Sequence, residues 1–357
     1  MDGNAIIYCQ GAFLTPNGKT AHGLIRHTDR YRVVSVIDSD CAGKDAGELL
    51  DGKYRNIPVL DTVDAGLRHA ESVKLKPDYL VIGLAPDGGM VGPEVIDDIQ
   101  HAISSGLNID SGLHDFLSEH PDLSENARIK GVHIRDIRKP PPTSALHFFS
   151  GKIREVNCIK IAILGTDSAI GKRTTALFLS KRLREKGFKA EMIGTGQTSW
   201  LQGVKYSIVL DSLINDFVAG EIEHVVHTAW KNENPDLIIL EGQGSLLNPA
   251  YPGGFELIAA GRPDYIILQH APKRKEYDGF PGYAIQPLDY QVKAVEMIAG
   301  KPVIAITINH EKMTREELNK IKEEIFKDIG LTAFDILWDG TEELINFIVN
   351  RIYNKTV

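Results

Sequence analysis

The sequence predicts two doubly wound α/β domains, a Rossmann-like N-terminal domain over residues 1–150 and a P-loop NTPase-like domain over residues 151–357. Three observations predict this. Short, continuous, β-branched apolar runs ended by Gly, Asp or Pro alternate with helix-length segments, the pattern of parallel strands covered on both faces. The chain of 357 residues is too long for one ordinary core. A stiff KPPP stretch at 139–142 interrupts the alternation, and the pattern restarts beyond it.

In the first half, residues 5–8, 33–37, 79–84 and 107–110 read as buried strands. Helix-like segments 20–27, 62–70 and 93–106 lie among them. The last opens at Pro93 and closes at Gly106, the expected start and stop of a helix. No G-x-G-x-x-G follows the first strand, so nothing supports a dinucleotide site there. In the second half, strands are expected at 158–165, 190–194, 236–242, 264–270 and 302–309. A helix is expected over 174–187, and helix starts are read at TREE (314–317) and TEE (341–343).

Bulk composition excludes some functions. The formal net charge of −8 argues against a general nucleic-acid or membrane-surface binder, which needs clustered positive charge. Cys9, Cys41 and Cys158 are far apart, with no metal-like spacing, which fits a reducing, cytoplasmic compartment. No metal site is expected. No signal peptide is read at the N-terminus, and no apolar run approaches membrane-spanning length. The expected partners are small-molecule substrates, with homo-oligomerisation the prior for such an enzyme.

The stretch LGTDSAIGKRTT (164–175) carries the chemistry. It follows a strand and leads into a helix, the setting in which backbone N–H groups cradle phosphate. Thr166, Asp167, Ser168, Ala169, Ile170, Gly171, Lys172, Arg173 and Thr174 form the expected phosphate cradle, with Lys172 supplying a full charge. The GTD…GK form resembles the deviant loop of dethiobiotin synthetase and its ATPase relatives. There a hydroxyl residue after the Lys holds Mg²⁺; here that position is Arg173, which repels a cation. Thr174 lies about 100° further around the helix. The loop is therefore expected to bind phosphate without cleaving it, since metal-assisted charge neutralisation is central to phosphoryl transfer. ATP with Mg²⁺ remains the alternative occupant.

Glu241 ends the strand before EGQGSL, and His270 ends the strand before the basic run Lys273, Arg274 and Lys275. Both sit where ligands meet parallel sheets, and both are candidate general bases. The basic run is a candidate clamp for an extra phosphate, and Asn309 a candidate adenine-reading amide. In the first half, Lys19, His22, Arg26, His114 and Arg135 are candidate cations and hydrogen-bond donors for a carboxylate substrate, at the edge where the domains are expected to meet. GLAPDGG (83–89) is a candidate crevice-lining turn, and Arg138 joins Arg135 near the junction.

KTAHGLIRH, VIGLAPDGG, SGLHDFLSEHPDL, IRDIRKPP, GTDSAIGKRTTA and PDLIILEGQGSL together resemble one family. They are similar to the two-domain P-loop proteins long filed as a domain of unknown function, with members associated with D-glutamate N-acetylation (the DgcN type). The resemblance runs from about residue 5 to 350. It implies an acetyl-CoA donor and a D-amino acid acceptor, with the loop around the CoA diphosphate.

Overall fold

The computed structural model describes residues 1–352. The chain divides into two compact units: Met1–Pro141 with Gly196–Val204, and Pro142–Thr195 with the chain from Lys205 onward.

Unit 1 is built on strands β1 (Gly3–Tyr8), β2 (Tyr31–Ile37), β3 (Val59–Leu60), β4 (Tyr79–Ile82), β5 (Asn108–Ser111) and β6 (Ile134–Asp136). All pair in parallel, in the order β3-β2-β1-β4-β5-β6. The connecting helices are α1 (Lys19–Arg26), α2 (Ala46–Asp51), α3 (Val63–Ser72), α4 (Pro93–Ser104) and α5 (Pro121–Lys130). Ile6, Ile7, Leu80, Ile82 and Ile109 are fully buried at the sheet centre, as a sheet covered on both faces requires. The strand order reverses between β1 and β4, the place where such sheets open a crevice. In a dinucleotide-binding domain, an acid near the end of the second strand meets a ribose. Here Asp38 follows β2, is fully buried, and its Oδ2 accepts the N–H groups of Ala12 (3.2 Å) and Phe13 (2.7 Å). Asp38 thus pins the β1–α1 connection.

Unit 2 holds β7 (Ile159–Gly165), α6 (Lys172–Glu185) and β8 (Ala190–Gly194). The chain then contributes α7 (Gln197–Leu201) to unit 1 before returning with β9 (Tyr206–Ser207), α8 (Asn215–Glu233) and β10 (Leu237–Glu241). The remainder is α9 (Phe255–Gly261), β11 (Tyr265–His270), α10 (Leu288–Ala299), β12 (Val303–Ile308), α11 (Arg315–Ile329), β13 (Ala333–Phe334) and α12 (Glu342–Ile352). Its sheet is all parallel, in the order β13-β12-β11-β7-β10-β8-β9. Among the described residues no helix is long and apolar enough to cross a membrane.

The two-domain α/β architecture expected from the sequence is the one observed. The break lies at Pro141/Pro142, ahead of residue 150. The reason is local: the His147 N–H donates to Glu221 (2.6 Å), and the N–H groups of Ser150 and Ile153 donate to Glu223, tying this stretch to α8. The assignment of Gly196–Val204 to unit 1 is equally specific. Gln202 Nε2 donates to the carbonyls of Gly23 and His27, each at 2.8 Å, while Leu201 is buried in the unit-1 core. The Arg30 guanidinium lies 3.7 Å over the Trp200 ring. Nothing in the local pattern of TGQTSWLQG announces these long-range contacts.

Candidate functional site

The strand order of unit 2 gathers the key positions. β12, β11, β7 and β10 are consecutive neighbours, so their carboxyl ends share one edge. Thr166, Glu241, His270 and Asn309 stand at or just past those ends. Adjacent strands are about 4.8 Å apart, so the four fall within reach of one ligand.

The loop after β7 is built for an anion. Gly171 caps α6 with φ 107°, a conformation that favours glycine, and helix α6 begins at Lys172 rather than at Thr174. Ala169 also adopts a left-handed φ of 50°, a strained choice for a residue with a Cβ. Lys172 is buried at 6% exposure, and its Nζ donates to the Asp167 carbonyl at 2.6 Å. Burial lowers its pKa to about 8, against the opposing pull of the Asp167 and Glu241 carboxylates. A Cβ on Gly165 would lie 2.8 Å from Lys172 Cδ, so glycine there makes room for the lysine.

Asp167 is the hub of the loop. It is fully buried, and Oδ1 accepts from the Ser168 N–H (2.7 Å) and from Asn248 Nδ2 (3.0 Å). Its Oδ2 accepts from Arg274 Nη1 (2.9 Å) and the Asp278 N–H (3.0 Å). Arg274 also donates to the Ser168 carbonyl and, through Nε and Nη2, to Glu311. One guanidinium therefore joins the phosphate loop to the segment after β12. Further along α6, Thr175 is buried and donates to Gln269 Oε1 at 2.6 Å, an atom that Thr307 also reaches at 2.6 Å. Arg173 and Thr174 are half-buried in the first turn of α6.

Glu241 is 5% exposed, and its Oε2 accepts from the Thr195 N–H at 2.9 Å. The Thr195 hydroxyl returns a bond to the Glu241 carbonyl at 3.0 Å. A Cβ on Gly242 would fall 2.3 Å from the Ile163 carbonyl, so only glycine lets the chain leave β10 tight against β7. In the turn beyond, the Asn248 N–H donates to Ser245, and Asn248 itself reaches Asp167. Ser245 Oγ is buried without a hydrogen-bond partner among the described residues. Sequence reasoning passed over Ser245 and Asn248; the Gly, Asn and Pro cluster after β10 was the available signal.

His270 Nδ1 lies 3.0 Å from Thr166 Oγ1. Burial, and then the nearby Lys275 ammonium, lower its pKa to about 4, so the ring is uncharged near neutrality. Lys273 pairs with Glu317 at 2.5 Å. The Asn309 side chain accepts the Glu311 N–H, while its own N–H donates to the His270 carbonyl.

Of the unit-1 candidates, Lys19, His22 and Arg26 share α1, while His114 follows β5 and Arg135 lies on β6. Lys19 opens α1. One turn on, His22 Nε2 lies 2.5 Å from the Phe13 carbonyl. Arg26 grips Asp51 through Nε and Nη2. The His114 N–H donates to the Gly89 carbonyl in the turn after β4; the Asp87 side chain of that turn lies outside the described residues. Arg135 holds the buried Asp110 through two bonds and also pairs with Asp2. Arg138 Nε donates to the Gly112 carbonyl at 2.6 Å. Arg26 and Arg135 thus each hold a carboxylate of the chain itself. Among the described residues no group of three or more His, Cys, Asp or Glu side chains is arranged to hold a metal ion.

With this geometry in hand, two family models account for most of the chain. A P-loop domain of unknown function, DUF1611_C, matches residues 147–345, and a Rossmann-like domain, DUF1611_N, matches residues 39–140. The chain belongs to the DUF1611 family. A DUF1611 family protein from Anabaena variabilis, known from a crystal structure, is 29% identical and superposes with a TM-score of 0.88 over 97% of this chain and 99% of its own. Two curated relatives are each named D-glutamate N-acetyltransferase. The one from Tritonibacter scottomollicae is 31% identical over 273 residues, 75% of this chain and 80% of its own. The one from a Pseudoalteromonas species is 29% identical over 80% of this chain and 86% of its own.

Proposed function

We propose that the protein moves an acetyl group from acetyl-CoA to the amine of a D-amino acid, D-glutamate first among acceptors. The phosphate loop grips the CoA diphosphate and leaves its anhydride intact. The observation that carries the reading is the pairing of a buried, cradled Lys172 with Arg173 at the position of the magnesium hydroxyl. The relatives named D-glutamate N-acetyltransferase supply the reaction class.

Each part follows from the groups at the edge of the sheet. Lys172 would exchange its bond to the Asp167 carbonyl for phosphate oxygens. Ser245 Oγ supports the fit, since a buried hydroxyl lacking a partner costs about 1–3 kcal/mol unless a bound group accepts or donates to it. The attacking amine must be neutral, so a base takes a proton from the ammonium. Glu241 is the preferred base and His270 the second. The amine nitrogen then bonds the thioester carbonyl carbon, the C–S bond breaks, and the thiol leaves with a proton. N–H groups of the glycine-rich turns, or Asn309, would stabilise the tetrahedral oxyanion.

The test pairs thermal shift with a thiol-release assay across D- and L-amino acids. Stabilisation by acetyl-CoA without magnesium, and thiol release with a D-amino acid, are expected. Stabilisation by MgATP alone, with ADP formation and no thiol release, would replace this reading with an ATP-dependent ligase or kinase.

A further inference from the structure

The candidate phosphate loop leaves β7, and β10 and β11 flank that strand on its two sides. The segments that follow β10 and β11 converge on the loop. From the β10 side, Asn248 Nδ2 donates to Asp167 Oδ1; from the β11 side, the Asp278 N–H donates to Asp167 Oδ2. Just beyond these anchors each segment carries an aromatic residue, Tyr251 and Phe280. Their rings meet edge to face, with centroids 6.1 Å apart. An aromatic pair drawn from both flanks of β7 therefore stands beside the candidate phosphate cradle.

The backbone fixes both residues. The Tyr251 N–H donates to Asn248 Oδ1 at 2.8 Å, and the Tyr251 carbonyl accepts the N–H groups of Ser245 (3.1 Å) and Gly253 (2.7 Å). The Phe280 N–H donates to the Tyr277 carbonyl at 2.9 Å, and the Phe280 carbonyl accepts the Tyr283 N–H at 3.2 Å. Tyr251 is nonetheless 50% exposed, so its side chain stays open to a planar partner. A single exposed aromatic is ordinary on a protein surface. A fixed pair tied to a phosphate loop is not accounted for in that way. A second observation points to a ligand here. Ser245, on the same segment as Tyr251, is buried, and its hydroxyl has no hydrogen-bond partner among the described residues.

We propose that Tyr251, braced by Phe280, is the stacking platform for the base of the nucleotide whose diphosphate sits on the loop. This rests on the acetyl-CoA reading above, in which that base is adenine, and assigns the residue that receives it. In an adenosine diphosphate the base lies one ribose beyond the phosphates, so the group that receives it must stand near the loop and not in it. A purine face laid on the tyrosine ring gains stacking energy without any polar group having to be matched. Asn309, the candidate reader of that base in the sequence, has its side-chain oxygen on the Glu311 N–H.

Calorimetric titration of acetyl-CoA, ADP and inorganic pyrophosphate into the wild type, Tyr251→Ala and Tyr251→Phe tests this. Circular dichroism checks that each variant is folded. Tyr251→Ala should bind acetyl-CoA and ADP at least about fivefold more weakly, the lower bound for loss of one stacked base, while pyrophosphate, which has no base, should stay within about twofold. Tyr251→Phe keeps the ring and should bind all three as the wild type does. A folded Tyr251→Ala that binds acetyl-CoA and ADP with wild-type affinity would overturn the platform and leave the loop reading standing. Equal losses for all three ligands would overturn it too, since Tyr251 would then be shaping the loop. A wild type that binds ADP through Tyr251 but does not bind acetyl-CoA would uphold the platform and overturn the donor reading.

Discussion

Lys172 donates to the carbonyl of Asp167, five residues before it, at 2.6 Å. The same loop that would receive phosphate therefore holds its own cation in place. Asp167 in turn is held by Asn248 and Arg274 from two other loops. On the proposed reading, Lys172 would exchange its bond to the Asp167 carbonyl for bonds to phosphate oxygens.

Lys172→Ala should weaken phosphate-containing ligands by about 1.5–3 kcal/mol, the scale of a charged hydrogen bond. Lys172→Met should do the same while leaving stability unchanged or raised, because it removes a buried charge. Calorimetric Kd values and melting temperatures for both variants check the pair. Unchanged acetyl-CoA affinity in either would move the donor away from this loop.

Donor binding should depend on pH through Lys172. A phosphate anion favours the ammonium, so its pKa of about 8 should rise on binding, with proton uptake above that pH and affinity falling as pH climbs. The unfolded chain holds this proton up to about pH 10.4. Between the two values it binds more protons than the folded chain, so stability from this group rises with pH there. Titrations in buffers of differing ionisation enthalpy should show uptake of a fraction of a proton near pH 8.5 in the wild type and none in Lys172→Met.

Asp167→Ala should destabilise unit 2 by at least about 1–3 kcal/mol, the cost of a buried donor left without its acceptor, because the Ser168 and Asp278 N–H groups, Asn248 Nδ2 and Arg274 Nη1 all lose Asp167. Asp167→Asn should cost less, because the amide still accepts one set of bonds. Denaturant midpoints order the three proteins. Equal midpoints would mean that Arg274 finds full compensation in Glu311.

Arg173→Thr restores the hydroxyl that the loop lacks. Creation of magnesium-dependent ADP formation in this variant would identify the loop as a disabled nucleotidase. No ADP formation, with acetyl-CoA affinity reduced, is the outcome expected if Arg173 serves the donor.

Gly244 has φ 47°, and a Cβ there would lie 2.0 Å from the Tyr251 carbonyl. Gly244→Ala should therefore cost about 1–3 kcal/mol or more and displace the Ser245–Asn248 turn. Loss of acetyl-CoA binding larger than the loss of stability would place that turn against the ligand.

The amino-acid sequence by itself determined the elements whose causes are local. Apolar runs located the main strands, Pro93 and the TREE box located helix starts, and Gly171-Lys172 after a strand located the phosphate loop. Arg173 could be weighed from its position alone. The short strands β3, β9 and β13 escaped, since two residues carry no periodicity. The tertiary structure decided how the charges are used. Arg274 reads as a ligand clamp in the sequence, yet it braces Asp167 and Glu311; Arg26 and Arg135 read as substrate cations, yet each holds a carboxylate. Only the fold could also assign Gly196–Val204 to unit 1 and bring the Lys275 ammonium near enough to His270 to help lower its pKa. The physical reason is range. Strand and turn preferences act over a few neighbouring residues, whereas a charge is neutralised by whatever the folded chain brings to it, often from more than a hundred residues away, as Asp167 and Arg274 are.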